Sequence, residues 1–128
     1  MSKVKLFTET PNSISIDVEK IYDVANEFIS RNRTMLYTTE LDVVSFKGAF
    51  EDVNVSIRYK DAVLVDIDVD RHSISLWANI AQLIEAPHNI KSYVLELLET
   101  LAKTLETPHK DSIEIITQWL KQKTQHHE

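Results

Sequence analysis

The chain has 128 residues, 43% of them hydrophobic and 27% charged, close to the composition and length of one soluble globular domain. It has no cysteine and a single glycine, Gly48, which excludes disulfide scaffolds, thiolate metal sites, cysteine nucleophiles and glycine-rich phosphate loops. Its 14 basic against 20 acidic residues leave a net charge of −6, the wrong field for a nucleic-acid binder.

Lys3 to Thr8 reads as a short strand, with Val4 and Leu6 on one face and Phe7 on the other. Pro11-Asn12-Ser13 breaks it. From Ile16 to Arg31, Val18, Ile21, Tyr22, Ala25, Phe28 and Ile29 recur at helical spacing. Ser15 is placed as its N-cap, Asp17 and Glu19 suit the positive end of the dipole, and Arg31 and Arg33 suit the negative end. The period then changes to two. A strand is predicted from Leu36 to Phe46, ending at the Lys47-Gly48 turn. Val53, Val55, Ile57 and Tyr59 form a second, Val63, Val65, Ile67 and Val69 a third, and His72 to Leu76 a short fourth.

Register follows from keeping like faces opposite each other. A two-residue turn at Lys60-Asp61 would set Val55 against Asp66 and Val53 against Asp68. A three-residue loop, Lys60-Asp61-Ala62, sets Ile57 against Val65, Val55 against Ile67 and Val53 against Val69, and is preferred. The same reasoning around Gly48 sets Val43 against Val53 and Leu41 against Val55.

Helical period returns with a short helix from Ala78 to Ala86, stopped by Pro87. Asn89 is read as the cap of a longer helix carrying Ile90, Tyr93, Val94, Leu97, Leu98, Leu101 and Leu105. Thr107-Pro108 opens a last one carrying Ile113, Ile116, Trp119 and Leu120, and residues 122–128 are expected to fray. The predicted fold is a single α+β domain over residues 1–128. It is an antiparallel β-meander of three to four strands, with the N-terminal strand as an optional addition. An N-terminal helix and two to three C-terminal helices pack on one face. No apolar run reaches transmembrane length, and no apolar segment follows the basic start of Met1 to Lys5. The expectation is a cytoplasmic protein without signal peptide or membrane contact.

The least ordinary chemistry lies in Asp66-Ile67-Asp68-Val69-Asp70-Arg71-His72. As a calcium loop it fails, because Arg71 stands where the turn needs glycine and Trp77 where it needs a bidentate carboxylate. On a strand, Asp66, Asp68, Asp70 and His72 share the face opposite the valines, with Arg58 diagonal to Asp66 as a neutralising partner. That stripe is a solvated, aggregation-resistant face, a partner-binding one, or a site for a hard divalent cation, in that order of preference. His88, His109, His126 and His127 show no metal-ligand spacing, and no catalytic group, metal or cofactor is assigned. Val44, Phe46 and Phe50 make an apolar group on the face expected to be wet, to be covered by the N-terminal strand or by a second copy. Trp119 is a further interface candidate, although core packing explains it as well. The functional expectation is a small acidic, non-catalytic protein-interaction module: an accessory protein, chaperone, inhibitor or immunity-like protein that forms a homodimer. The alternative is a small-molecule or metal-binding protein, or an enzyme, that uses the acidic strand face.

Overall fold

The computed structural model describes residues 3–9, 15–105 and 109–125. In chain order the elements are β1 (Lys3–Glu9), α1 (Val18–Arg31), α2 (Arg33–Thr38), β2 (Leu41–Lys47), β3 (Val53–Tyr59), β4 (Ala62–Val69), β5 (Ser73–Asn79), α3 (Ile80–Glu85), α4 (His88–Ala102) and α5 (His109–Gln125). The fold is α+β: β2 to β5 form the antiparallel meander, and β1 adds to it. The sheet order is β1-β5-β4-β3-β2, so β1 and β2 occupy opposite edges. Val53, Val55, Ile57, Val65, Ile67, Val69, Ile74, Leu76 and Ala78 are buried on one face, beneath the helices.

Helix α1 forms where its apolar stripe predicts, burying Val18, Ile21, Ala25 and Phe28. Its cap is Asp17 rather than Ser15, the Asp17 side chain accepting from the Lys20 N–H at 3.1 Å. Asn32 ends the helix by donating its side-chain amide to the Phe28 carbonyl at 2.8 Å. The predicted strand from Leu36 is corrected at its start, because residues 33–38 form the helix α2. There the Thr38 hydroxyl bonds back to the Thr34 carbonyl at 3.0 Å, and the Thr39 hydroxyl to Met35 at 2.9 Å. These hydroxyls satisfy carbonyls that a helix end would otherwise leave open.

The β3–β4 register agrees with the hydrophobic arithmetic, pairing Ile57 with Val65, Val55 with Ile67 and Val53 with Val69. Its origin differs. The turn is the two-residue Lys60-Asp61, both with positive φ (51° and 66°), as a type I′ hairpin requires. Arg58 therefore pairs with Val63 rather than lying beside Leu64, and a bulge between Ile57 and Arg58 restores the phase by leaving Leu64 as the extra residue. The β2–β3 register is corrected by four residues: Val43 faces Ile57 and Lys47 faces Val53. The connection is a five-residue loop, closed by Gly48 N–H donating to the Asp52 carbonyl at 2.8 Å, with Glu51 at φ 57°. A Cβ at Gly48 would meet only the exposed Asp52 carboxylate, which would have to turn aside.

Strand β5 runs three residues further than predicted, to Asn79, and Asn79 then caps α3 by accepting from Gln82 N–H at 3.2 Å. Helix α4 begins at His88 after Pro87, so Asn89 lies inside its first turn and is not the cap. The Thr107-Pro108 cap lies outside the described residues. Helix α5 buries Ile113, Thr117, Leu120 and Thr124 on one stripe, and both threonine hydroxyls bond back one turn, at 2.7 and 2.9 Å. It continues through Gln125, so residues 122–125 are helical, and 126–128 lie outside the described residues. No helix among the described residues is long and apolar enough to cross a membrane.

Candidate functional site

Because the helices cover one face of the sheet, alternation delivers every second side chain of β2 to β5 to the other, open face. One cross-strand row there reads Val44, Ser56, Asp66, Trp77, each residue directly opposite the next. A second row sets Phe46 against Asn54, Asp68 and Ser75. Beside the first row, Asp42 faces Arg58. A groove of about 670 Å³ on this face is lined by Asp42, Val44, Asn54, Ser56, Arg58, Val63, Leu64, Asp66, Trp77 and Asn79.

The side-chain amide of Asn54 fixes the centre of this face. It donates to Oδ1 of Asp66 and to Oδ1 of Asp68, both at 2.9 Å. Two carboxylates two residues apart are thereby held together, each keeping its second oxygen for something else. None of the ion pairs formed among the described residues involves Arg58. The open face thus offers a cation, a pair of oriented carboxylates, an aromatic ring and amide groups, with Arg58, Asp66, Trp77, Asn54 and Asn79 lining the groove itself. Such a set suits recognition of a polar, partly apolar surface. Among the described residues no three His, Cys, Asp or Glu side chains converge as a metal site.

The stripe Asp66, Asp68, Asp70, His72 is only half assembled. Asp66 and Asp68 lie on the open face, but the strand ends at Val69. Asp70 and His72 belong to the β4–β5 turn. There the Asp70 Oδ1 accepts from His72 N–H (2.8 Å), Ser73 N–H (2.7 Å) and the Ser73 hydroxyl (3.0 Å). Partial burial by itself would raise the Asp70 pKa, but these hydrogen bonds outweigh it and leave the carboxyl below its usual value. Its role is to shape the hairpin. His72 is exposed beside it.

Val44 and Phe46 are exposed on the open face at 52% and 62%, and Phe50, in the β2–β3 loop, at 92%. The N-terminal strand does not cover them, since β1 lies at the far edge of the sheet. Trp119, 37% exposed, is on a different surface. With Ile115, Asp111, Glu114, Gln118 and Gln122 it lines a shallow strip along α5, with Lys123 Nζ 5.7 Å from its ring centre.

Sequence reasoning missed Trp77 and Asn79 as site residues. The signal was available: Ile74, Leu76 and Ala78 alternate, which turns Trp77 outward once β5 is allowed to run its full length. The chain matches no family model, no curated protein and no solved structure, so its own geometry must carry the functional argument.

Proposed function

We propose that this chain is a non-catalytic protein-interaction module that binds with the open face of its sheet. The observation that supports this reading is that face itself. The row Val44–Ser56–Asp66–Trp77 and the exposed Phe46 lie on the side of the sheet away from the helices. Apolar groups interleaved with oriented polar ones are the make-up of a protein-binding surface rather than of a solvated face. An accessory, chaperone-like, inhibitory or immunity-like role is compatible with such a module. The partner is another protein, a second copy of the chain included.

The second reading, a small-molecule binder or enzyme, draws on one observation: a groove of about 670 Å³ is within the range that small ligands use. One experiment separates the two. A photo-reactive residue is placed at Ser56, in the centre of the row, and separately at Glu96, exposed on α4. Covalent capture of a discrete protein in the native host from position 56 and not from 96, lost in Trp77→Ala, is the expected result. Capture from position 96 alone would refute the proposal. A melting temperature raised by a metabolite mixture, with that rise abolished by Arg58→Ala, would transfer the assignment to the second reading.

A further inference from the structure

We propose that two copies of this chain join edge to edge through β2, fusing their sheets into one continuous sheet across a two-fold axis. This rests on the reading of the β2 side of the open face as an interaction surface, and adds the occupant and its register.

The ladder phase identifies what the edge offers. Lys60 N–H donates to the Glu40 carbonyl at 3.3 Å, and Gly48 N–H donates to the Asp52 carbonyl at 2.8 Å. Both pairs continue the β2–β3 register, and hydrogen-bonded pairs in an antiparallel ladder recur at every second residue. Asp42, Val44 and Phe46 therefore bond to β3, while Leu41, Val43, Ser45 and Lys47 turn their N–H and C=O groups outward. The Leu41 N–H is already taken by the Thr39 hydroxyl at 3.2 Å. Among the described residues, the backbone of Val43, Ser45 and Lys47 is left as an open row. Such a row is a template for another strand.

Only one like-faced antiparallel register uses that row in full. With Ser45 opposite Ser45 of the second copy, Val43 meets Lys47 and Lys47 meets Val43, so each of the three residues exchanges both of its backbone bonds. The side chains then agree. On the open face Val44 of one copy stands opposite Phe46 of the other, twice, in the non-hydrogen-bonded pairs, where side chains approach most closely. Asp42 falls opposite Gly48, which has no side chain to oppose it. Shifting each strand to centre on Val44 would instead set Phe46 against Asp42 and call on the occupied Leu41 N–H. On the helical face, Lys47 Nζ keeps its contact with Glu19 at 2.6 Å and the Ser45 hydroxyl its bond to Asn26, so no unpaired charge is driven into the seam.

The ends of the strand extend the match. Glu40 of one copy falls beside Phe50 of the other, three residues beyond the exposed Tyr37 in α2. Four of the six large apolar side chains exposed among the described residues (Tyr37, Val44, Phe46 and Phe50) thus gather at one edge. Taking about 150–250 Å² for a whole aromatic side chain, they present on the order of 500 Å² per copy. With the strand backbone added, that approaches the ~800 Å² per partner of a standard stable interface. A two-fold arrangement, in which each residue meets its counterpart reciprocally, is the commonest way for a protein to close such a surface.

The test is sedimentation equilibrium of the purified chain at micromolar concentration. The expected mass is twice the 14.8 kDa of one chain. Phe46→Glu, at an exposed position, and Ser45→Pro, which removes the central edge donor, are each expected to weaken the dimer at least about tenfold with unchanged circular dichroism. The chain has no cysteine, so introduced thiols report the register without background. Mixing Val44→Cys with Phe46→Cys should give a disulfide between unlike chains faster than either variant gives alone. A monomer mass for the wild-type chain overturns the proposal, as does a dimer that survives Phe46→Glu, or faster self-cross-linking of Val44→Cys. A monomeric chain that still captures a different protein from position 56 overturns this dimer and leaves the interaction-module reading standing.

Discussion

Tyr93→Phe is expected to stabilise the fold. Tyr93 lies on the buried side of α4, 4% exposed, its ring edge-on to Phe28 with centroids 5.0 Å apart. Its hydroxyl has no hydrogen-bond partner among the described residues. In the unfolded chain water satisfies that hydroxyl, and burying it unpaired costs about 1–3 kcal/mol. Phenylalanine keeps the ring and the Phe28 contact and gives up only the dispersion contacts of one oxygen, roughly a few tenths of a kcal/mol. The net gain is about 1 kcal/mol, or ~3–5 °C in Tm for a chain of this length. A second readout follows from the same burial, which pushes the Tyr93 phenol up from 10.0 to about 12. As pH rises the unfolded chain loses that proton first. Tyr93 therefore adds no pH dependence below about pH 10, and its ionisation takes about 2–3 kcal/mol from the wild-type fold as pH rises to the folded value. The variant has no such group, so its advantage should widen in alkali. Urea melts followed by circular dichroism, from neutral pH to about pH 11, measure both effects. A less stable variant at neutral pH, or a gap that stays constant in alkali, would refute the reasoning.

Val65→Asp should unfold the domain, since Val65 is fully buried in the sheet and an unpaired carboxylate there costs more than about 4 kcal/mol; a soluble variant melting like wild type would overturn the burial argument. Asp70→Ala should lower stability by ~1–2 kcal/mol through loss of the three bonds that shape the β4–β5 turn, whereas Asp70→Asn, which keeps an acceptor oxygen, should lose less. Because the Asp70 carboxyl titrates below the ordinary aspartate value of 3.8, its contribution is complete above that pH and is lost as pH falls through the folded value. Acid titration of Asp70→Asn should show a correspondingly flatter stability curve. Lys60→Asn combined with Asp61→Gly should stabilise the β3–β4 hairpin by about 1 kcal/mol, because two side chains now sit at positive φ in a turn that favours Asn-Gly; an unchanged melting temperature would argue against strain there.

The two ladders show what alternation can and cannot decide. For β3 and β4, aspartates alternate with valines, so an odd slip would bury carboxylates, and the pattern selects the observed pairs. It does so blindly to mechanism: a three-residue loop and a two-residue turn with a bulge at Leu64 leave the same pairs behind. For β2 and β3 the pattern decides only the face. Any slip by an even number keeps Leu41 and Val43 against apolar neighbours, and the true offset depends on the five-residue loop that Gly48 and Asp52 close. The helix α2 was hidden for a related reason. Met35 and Leu36 form an apolar pair too short to show a period, and the threonine hydroxyls that complete the turn act only once it exists.

The candidate site depends on facts of still longer range. Alternation places Asp66 and Asp68 outward, but whether two carboxylates repel each other or are drawn together rests on Asn54, a strand away. Val44 and Phe46 are likewise visible as apolar residues on a wet face. Whether that is a defect or an interface turns on sheet order. Had β1 paired with β2, the open backbone of Val43, Ser45 and Lys47 would be filled from within the chain and the patch would lie inside the sheet. Instead β1 pairs with β5 from Lys3–Asn79 to Glu9–Ser73, a choice made between residues some seventy positions apart. The apolar residues of β2 and its unpaired backbone therefore come to the same edge together, and a strand that enters there meets both at once.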